Sequence, residues 1–305
     1  MSKDRIGFIG AGLMGHGMAK NLVEKGFPLT VLAHRNRAPI DDLITRGASE
    51  AATPGEVAGT SDVVFLCVTS SAEVEEIVLG PDGLMAGGRA GLIICDCSTA
   101  DPSSTLRLGS RLAQKGIALA DAPLGGTPTG AQTGQLSAMV GAEPAVFARL
   151  KPAIEAWAAK IVHVGPLGTG HKMKLLNNFL SLGYGALYAE ALTLGEKVGI
   201  SPRDFDRVIR GSRMDCGFYQ TFMGWVIDGD PNAHQFTLTN AYKDMRYVAA
   251  MGDTSGMANP LANAVKSSYA LAVSSGEGER YVPMLTDVIG QLAGVIKSAK
   301  SSTMK

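Results

Sequence analysis

The sequence carries no surplus of charge of either sign. Lys plus Arg and Asp plus Glu number 28 each in 305 residues, and no dense cationic run occurs, so no nucleic-acid partner is expected and a small neutral or mildly anionic molecule fits better. Charged residues make up 18% and hydrophobic residues 46%, a balance that lets a chain of this length bury two real cores and excludes disorder. Cysteine is scarce. Cys67, Cys95, Cys97 and Cys216 lack paired metal-site spacing, so no metal is expected, and all four read as buried free thiols of a reducing compartment. Cys95 and Cys97 lie two apart in an apolar run, which in a strand turns both thiols to one face.

Long apolar runs are missing as well. The opening MSKDRIGFIGAGLMG has basic residues before an apolar stretch, as a signal peptide does. However, Asp4 precedes that stretch, glycines break it, His16 and Lys20 follow it, and no small-residue cleavage site is evident. Elsewhere FLSLGYGALYAEALTLG is interrupted by Glu190 and falls short of the roughly 20 residues a membrane span needs. A cytoplasmic protein with no membrane partner is expected.

What the chain does have is alternation. Short β-rich apolar runs at Ile6 to Gly10, Leu29 to Ala33, Val63 to Val68, Leu92 to Asp96, Ala118 to Asp121, Leu136 to Val140 and Ile161 to Val164 are separated by helical periodicity at Met14 to Glu24, Pro102 to Lys115 and Pro144 to Ala159. Such alternation implies a largely parallel sheet wrapped by helices. After VGPLGTG the pattern turns to helices alone: one long helix over His171 to Val198, and others around 202 to 211, 239 to 252, 258 to 274 and 283 to 298. The fold class is α/β: a Rossmann-type dinucleotide-binding domain over 1–165, then an all-α domain over 166–305 with a long interdomain helix. Only the tail KSAKSSTMK looks loose.

Glycine is the residue in local excess. Gly10, Gly12 and Gly15 form Gly-x-Gly-x-x-Gly between the first strand and the first helix, the arrangement on which a dinucleotide pyrophosphate docks. Gly10 permits the turn, Gly12 lets phosphate approach the backbone, and Gly15 allows close helix-to-strand packing. The amides of Ala11, Leu13 and Met14 complete the turn, where helix N-terminal N–H groups attract negative charge. At the end of the second strand, NAD-binding folds carry an acid for the ribose hydroxyl, whereas this chain reads TVLAHRNRAP with Ala33 at that place. His34, Arg35 and Arg37 follow it. An acid-free cationic loop favours a 2′-phosphate, so NADP is the expected cofactor, with NAD possible.

A second constellation opens the long helix, in GPLGTGHKMKLLNN. Lys174 and Asn178 are four apart and share a face, where an ammonium and an amide can converge on one substrate oxygen; Asn177 points about 100° away. From chemistry alone a solvated lysine reads equally well. Gly183, Gly185 and Gly195 let another helix approach this one, and its apolar character points to a homodimer or homotetramer.

Four stretches in order settle the alternative: GFIGAGLMGHGMAKNL, DAPLGGTPTGA from Asp121 to Ala131, GTGHKMKLLNN from Gly168 to Asn178, and FTLTNAYKDM from Phe236 to Met245. With them the chain resembles, end to end, the β-hydroxyacid dehydrogenase family. The resemblance implies hydride transfer between NAD(P) and a small β-hydroxy acid or its semialdehyde. It makes Lys174 the catalytic acid and base and has Asn178 hold substrate. Lys243 then lies against the cofactor or closes the site, and Val68 and Thr99 contact the cofactor near its nicotinamide half. Such a lysine needs its pKa lowered toward working pH, by burial and by the cationic nicotinamide ring. It also implies dimers or tetramers.

The substrate loop departs from the family pattern. Many members read Asp-Ala-Pro-Val-Ser-Gly-Gly, and the serine position here is Gly125; the sulfolactaldehyde reductase subgroup follows its glycine with arginine, and that position is Gly126. With both anchors absent, the backbone amides of Gly125, Gly126 and Thr127 and the Thr127 hydroxyl are left to bind a carboxylate, and the added room suits a bulkier acid. Arginine restored at 126 is expected to add a charge-assisted contact. Arg213 could supply a replacement cation, though it reads first as a surface or helix-end residue. His16, His34, His163, His171 and His234 show no pairing with acidic or hydroxyl partners that would suggest a triad or metal site, and Glu190, Glu196 and Asp244 read as helix-surface or salt-bridge residues. Two other readings stand beside this one: an imine reductase-like enzyme, in which the Lys174 position usually carries Asp or Tyr, and a non-catalytic NADP-binding sensor.

Overall fold

A computed structural model describes residues 3–32 and 35–295. The chain separates into two compact units, one running to Lys174 and one beginning at Leu175.

In the first unit, strands and helices alternate as β1 (Ile6–Ile9), α1 (Gly15–Glu24), β2 (Leu29–Leu32), α2 (Ala38–Thr45), β3 (Ser49–Ala51), α3 (Pro54–Thr60), β4 (Val63–Leu66), α4 (Ser71–Leu79), α5 (Leu84–Gly87), β5 (Ile93–Asp96), α6 (Pro102–Ala113) and β6 (Ala118–Asp121). Then come β7 (Leu124–Gly125), α7 (Pro128–Gln132), β8 (Leu136–Gly141), α8 (Pro144–Ile154) and β9 (Ala158–Gly165), and α9 (Thr169–Lys197) runs on into the second unit. Among the described residues the strands make one sheet in the order β3-β2-β1-β4-β5-β6-β8-β7, with β9 on β8. Pairing is parallel from β3 to β6 and antiparallel where β8 meets β6 and β7. Order reverses between β1 and β4, the crevice where ligands bind on such sheets.

Period-two burial divides the core cleanly. Ile6, Phe8, Val63, Phe65, Ile93 and Cys95 face α1, α2, α7 and α8, joined by Met18, Leu22, Leu43, Leu150 and Trp157. Ile9, Val64, Leu66 and Ile94 face the other way, against Val57, Val74, Val78, Leu108 and Leu112. Cys95 and Cys97 share the first of these clusters. Cys216, by contrast, is exposed, so that thiol is a correction to the buried set.

The apolar runs overshoot the strands at their C-terminal ends: Gly10, Cys67 and Val68 lie in loops leaving the sheet. Helical periodicity over 144 to 159 also ran too far. α8 stops at Ile154, and Ala158 and Ala159 already belong to β9, whose pairing with β8 overrides their helix propensity. The sequence pattern does not mark β3, β7 or the helices from α2 to α5 and α7; the two strands, three and two residues long, are too short for a period to show.

The second unit holds the rest of α9 with α10 (Pro202–Ile209), α11 (Gly217–Met223), a π-helical turn at Gly224–Asp228, α12 (Leu238–Ser255), α13 (Pro260–Ser274) and α14 (Leu285–Leu292). Its core joins Leu175, Leu182, Ala189, Tyr219, Phe222, Met245 and Tyr269. Gly185 lets another helix approach, since a Cβ there would stand 2.8 Å from Tyr269 Oη on α13. Gly195 instead faces Ile200 in the turn after α9, and Gly183 has open space beside it. The helix expected over 283 to 298 is a 3-10 turn, Val282–Met284, leading into α14. Residues 296 to 305, including the tail, lie outside the described residues.

Candidate active site

The first feature of the site is the glycine turn between β1 and α1. Gly10 has φ +99°, and a Cβ there would stand 2.2 Å from the Cys67 carbonyl oxygen. At Gly15 it would stand 1.9 Å from the Gly10 carbonyl, so neither position admits a side chain. Gly12 has nothing within 4 Å of its missing Cβ. The backbone is therefore bare and approachable over Gly12, between half-buried Ala11 and exposed Leu13. Met14, half-buried at the helix N-cap, provides no side-chain cap, and no acid sits in the first turn of α1. These are the features a dinucleotide pyrophosphate requires, and the residues present fit that group.

The loop after β2 is less cationic in space than in sequence. Ala33 and His34 lie outside the described residues. Arg35 is exposed. Arg37 caps α2, and its guanidinium is held by two carboxylates, Asp41 one turn on at 2.8 Å and Glu50 on β3, with Nη2 3.1 Å from Glu50 Oε2. This contact pushes the arginine pKa up and holds the Glu50 carboxyl below its usual range. An acid-free stretch in sequence is thus not acid-free in the fold, since Glu50 arrives from the neighbouring strand.

Beyond β4, the Val68 N–H donates to Ser98 Oγ at 3.0 Å, and Thr99 is half-buried in the loop after β5. Gly125 ends β7 opposite Ser137 of β8. A Cβ at Gly125 would lie 2.4 Å from Ser137 Oγ, so a hydroxyl absent from the substrate loop's own sequence stands beside it, contributed by β8. Gly126 has φ +129°, and a Cβ would press within 2.8 Å of Leu136 Cδ2. Arginine at 126 therefore strains the loop, which corrects the expectation of a simple added contact. Thr127 caps α7, its hydroxyl oxygen accepting the Gly130 N–H at 3.1 Å, and its O–H proton is left to donate.

On α9, half-buried Lys174 stands one turn before buried Asn178, and Asn177 is exposed. Asn178 Nδ2 donates to Asp244 Oδ2 at 2.6 Å. Asp244 is fully buried, so of its two readings, helix-surface or salt-bridge residue, the surface one is corrected and the salt-bridge one holds. Its second oxygen lies 3.1 Å from Lys243 Nζ, and that ammonium also faces the Tyr247 ring at 5.6 Å. One buried carboxylate thus holds both the amide and the ammonium that the sequence singled out in this unit. The adjacent Lys243 and Asp244 in the sequence could have suggested it, but a 66-residue separation hides the bond to Asn178. Arg213 is exposed in the turn between α10 and α11.

Two of the histidines have polar partners in the fold. His16 Nε2 is 2.8 Å from Asp42, and its Nδ1 is 3.0 Å from Gln132 Nε2. His171 is wholly buried beside the Thr105 hydroxyl at 2.8 Å and the carboxylates of Asp96 and Asp121. These partners come from distant strands and helices, which is why the sequence around each histidine does not show them. No cluster of metal-ligating residues occurs among the described residues, and no described helix is long and apolar enough to cross a membrane.

Comparison with known proteins gives the same chemistry. Residues 5–165 match the family described as the NAD binding domain of 6-phosphogluconate dehydrogenase, and residues 168–285 the one described as NAD-binding of NADP-dependent 3-hydroxyisobutyrate dehydrogenase. The chain is 32% identical to 2-(hydroxymethyl)glutarate dehydrogenase of Eubacterium barkeri, over 95% of this chain and 96% of that one. It is 30% identical to NAD-dependent L-serine dehydrogenase of Pseudomonas aeruginosa, over 90% and 94%. A crystal structure of 3-hydroxyisobutyrate dehydrogenase from Salmonella typhimurium shares the fold, with TM-score 0.83 and 24% identity over 93% of this chain and 99% of that one. The chain belongs to the β-hydroxyacid dehydrogenase family and is an NAD(P)-dependent oxidoreductase.

Proposed function

We propose that this enzyme interconverts a small β-hydroxy acid and its semialdehyde, with Lys174 as general acid and base and Asn178 orienting the substrate. The observation that carries the reading is the fixed amide of Asn178, tied to buried Asp244, one helical turn from Lys174. When bound, the dinucleotide accepts or supplies the hydride. Lys174 takes the hydroxyl proton in the oxidative direction and returns it in the reductive one. The second N–H of Asn178, not used by Asp244, donates to the substrate, and the loop Gly125 to Thr127 receives its carboxylate beside Ser137.

Residues 1–165 hold the cofactor on this reading, over the Gly10 to Gly15 turn and beside Val68 and Thr99, and Lys243 closes on it. NADP is preferred through Arg35 and His34, and NAD is accepted because Glu50 and Asp41 already hold Arg37. Residues 166–305 serve substrate binding and assembly. Leu180, Leu187 and Leu194 recur every seventh residue along α9 and are 60%, 63% and 64% exposed, an apolar row that a second copy covers in a homodimer or homotetramer. Its free thiols suit the cytoplasm.

Steady-state turnover tests the reading with a panel of β-hydroxy acids and short semialdehydes, each with both cofactors. Turnover of at least one carboxylate-bearing pair supports it. Reduction of cyclic imines with no hydroxy acid turned over favours the imine reductase reading, and cofactor binding without any turnover favours the sensor.

A further inference from the structure

The start of α9 is held by buried groups that hydride and proton transfer do not themselves require. Asp121, at the end of β6 and wholly buried, accepts the Gly168 N–H on Oδ1 and the His171 N–H on Oδ2, both at 2.6 Å. Its carboxylate thus satisfies amides that a helix start otherwise leaves open. The seating leaves no slack: a Cβ at Gly170 would lie 2.3 Å from the Met139 carbonyl oxygen, and one at Gly141 2.4 Å from Asp121 Oδ1.

The side chain of His171 extends this anchorage toward the cofactor loops. Nδ1 meets Thr105 Oγ1 of α6 at 2.8 Å, while buried Nε2 has no hydrogen-bond partner among the described residues and lies 3.7 Å from Asp96 Oδ2. Asp96 in turn accepts the Ser98 N–H on Oδ1 at 2.9 Å, and Ser98 Oγ accepts the Val68 N–H at 3.0 Å. Buried polar groups therefore line the way from the loops after β4 and β5 to the first turn of α9, hydrogen-bonded except across the 3.7 Å between His171 Nε2 and Asp96 Oδ2. Lys174 stands three residues beyond His171, on the next turn.

We infer that His171 is a positioning residue for Lys174, linking the helix turn that carries the lysine to the Val68–Thr99 loops through Asp96. The inference rests on Lys174 being the proton carrier. The buried imidazole is fixed by Thr105 on Nδ1, and its Nε2, with no hydrogen-bond partner of its own among the described residues, faces the Asp96 carboxylate across 3.7 Å, so that carboxylate is the polar neighbour that offsets its burial. The register between lysine and cofactor loops is thereby fixed rather than left to helix fraying.

The test uses two substitutions that keep different halves of the ring. His171→Asn retains a polar group at the Nδ1 position, beside Thr105, and loses the reach to Asp96; His171→Gln retains that reach. Expected for His171→Asn is a fall of about tenfold in kcat, normalised to the concentration of cofactor-binding sites, with cofactor affinity unchanged, since small misplacements of reacting groups cost rates of this order. The solvent deuterium isotope effect on kcat should rise, because proton transfer becomes slower; a mere loss of folded enzyme leaves that ratio alone. His171→Gln should stay within about threefold of the parent. If His171→Asn does not fold, Asp96→Asn, which keeps the Ser98 bond and removes the charge, is read the same way. Unchanged kcat and isotope effect in the folded variant, or equal impairment of Asn and Gln, overturns the inference. Lys174→Ala run alongside separates the two claims: if it is inactive while His171→Asn behaves as the parent, only the positioning role fails, and if it is active both fail.

Discussion

Asn178 Nδ2 donates to Asp244 Oδ2 at 2.6 Å, with the carboxylate fully buried and its other oxygen 3.1 Å from Lys243 Nζ. Asp244→Asn removes the charge that both groups answer to. A charge-assisted bond of this kind contributes about 1.5–3 kcal/mol, so kcat/KM should fall roughly 10- to 100-fold. Asn178→Ala should show a similar loss, carried mainly in substrate KM. Because the two side chains share one bond, the double variant should lose much less than the product of the singles. Multiplicative losses, or a change confined to cofactor affinity, would contradict the linkage.

Cofactor choice should depend on Arg35 more than on Arg37. Arg37 already answers Glu50 and Asp41. Arg35→Ala should lower kcat/KM for NADP by about tenfold or more while sparing NAD, as expected for loss of a charge-assisted contact. Arg37→Ala should change the NADP/NAD ratio less, and Glu50→Gln should raise it by releasing Arg37. A larger effect of Arg37→Ala than of Arg35→Ala contradicts this assignment.

For the substrate loop, the φ of +129° at Gly126 makes Gly126→Arg a backbone problem before it is a charge gained. Its melting temperature should drop, in line with a cost of about 1–3 kcal/mol for a side chain held at such a φ. Ser137→Ala should raise KM for carboxylate substrates several-fold. Gly125→Ser alone collides with Ser137 Oγ, so the exchange Gly125→Ser with Ser137→Ala should recover activity that Gly125→Ser loses. Full activity of Gly125→Ser by itself speaks against the crowding.

Stability should fall on mild acidification because of His234. Its ring packs edge-on against Phe218, centroids 5.0 Å apart, and burial pushes its pKa down to about 4. Between the ordinary histidine value and about 4, the unfolded chain binds a proton that the folded chain does not, so stability drops as pH falls through that window. His234→Gln should flatten the melting-temperature profile there. An unchanged slope excludes His234 as its source.

The glycine turn, the sheet strands and the long helix are legible in the sequence, because each rests on local spacing that one element imposes. β3 and β7, three and two residues long, are too short to display a period. The missed parts of the site share a different cause. Asp244 reaches Asn178 across 66 residues, Ser137 reaches Gly125 across 12, and Glu50 reaches Arg37 across 13. Strand order and helix packing make these contacts, and nothing in the flanking residues announces them. The buried state of Asp244 could not be seen either, since a charged residue on an amphipathic helix reads first as solvated.

Proton transfer by Lys174 is most directly tested by Lys174→Ala, assayed for turnover and for cofactor binding in the same preparation. Cofactor affinity should be retained within about twofold, while kcat falls by about 10² or more, the usual size of a general acid-base contribution. Nearly full turnover in a folded, cofactor-binding Lys174→Ala enzyme would remove Lys174 from the mechanism.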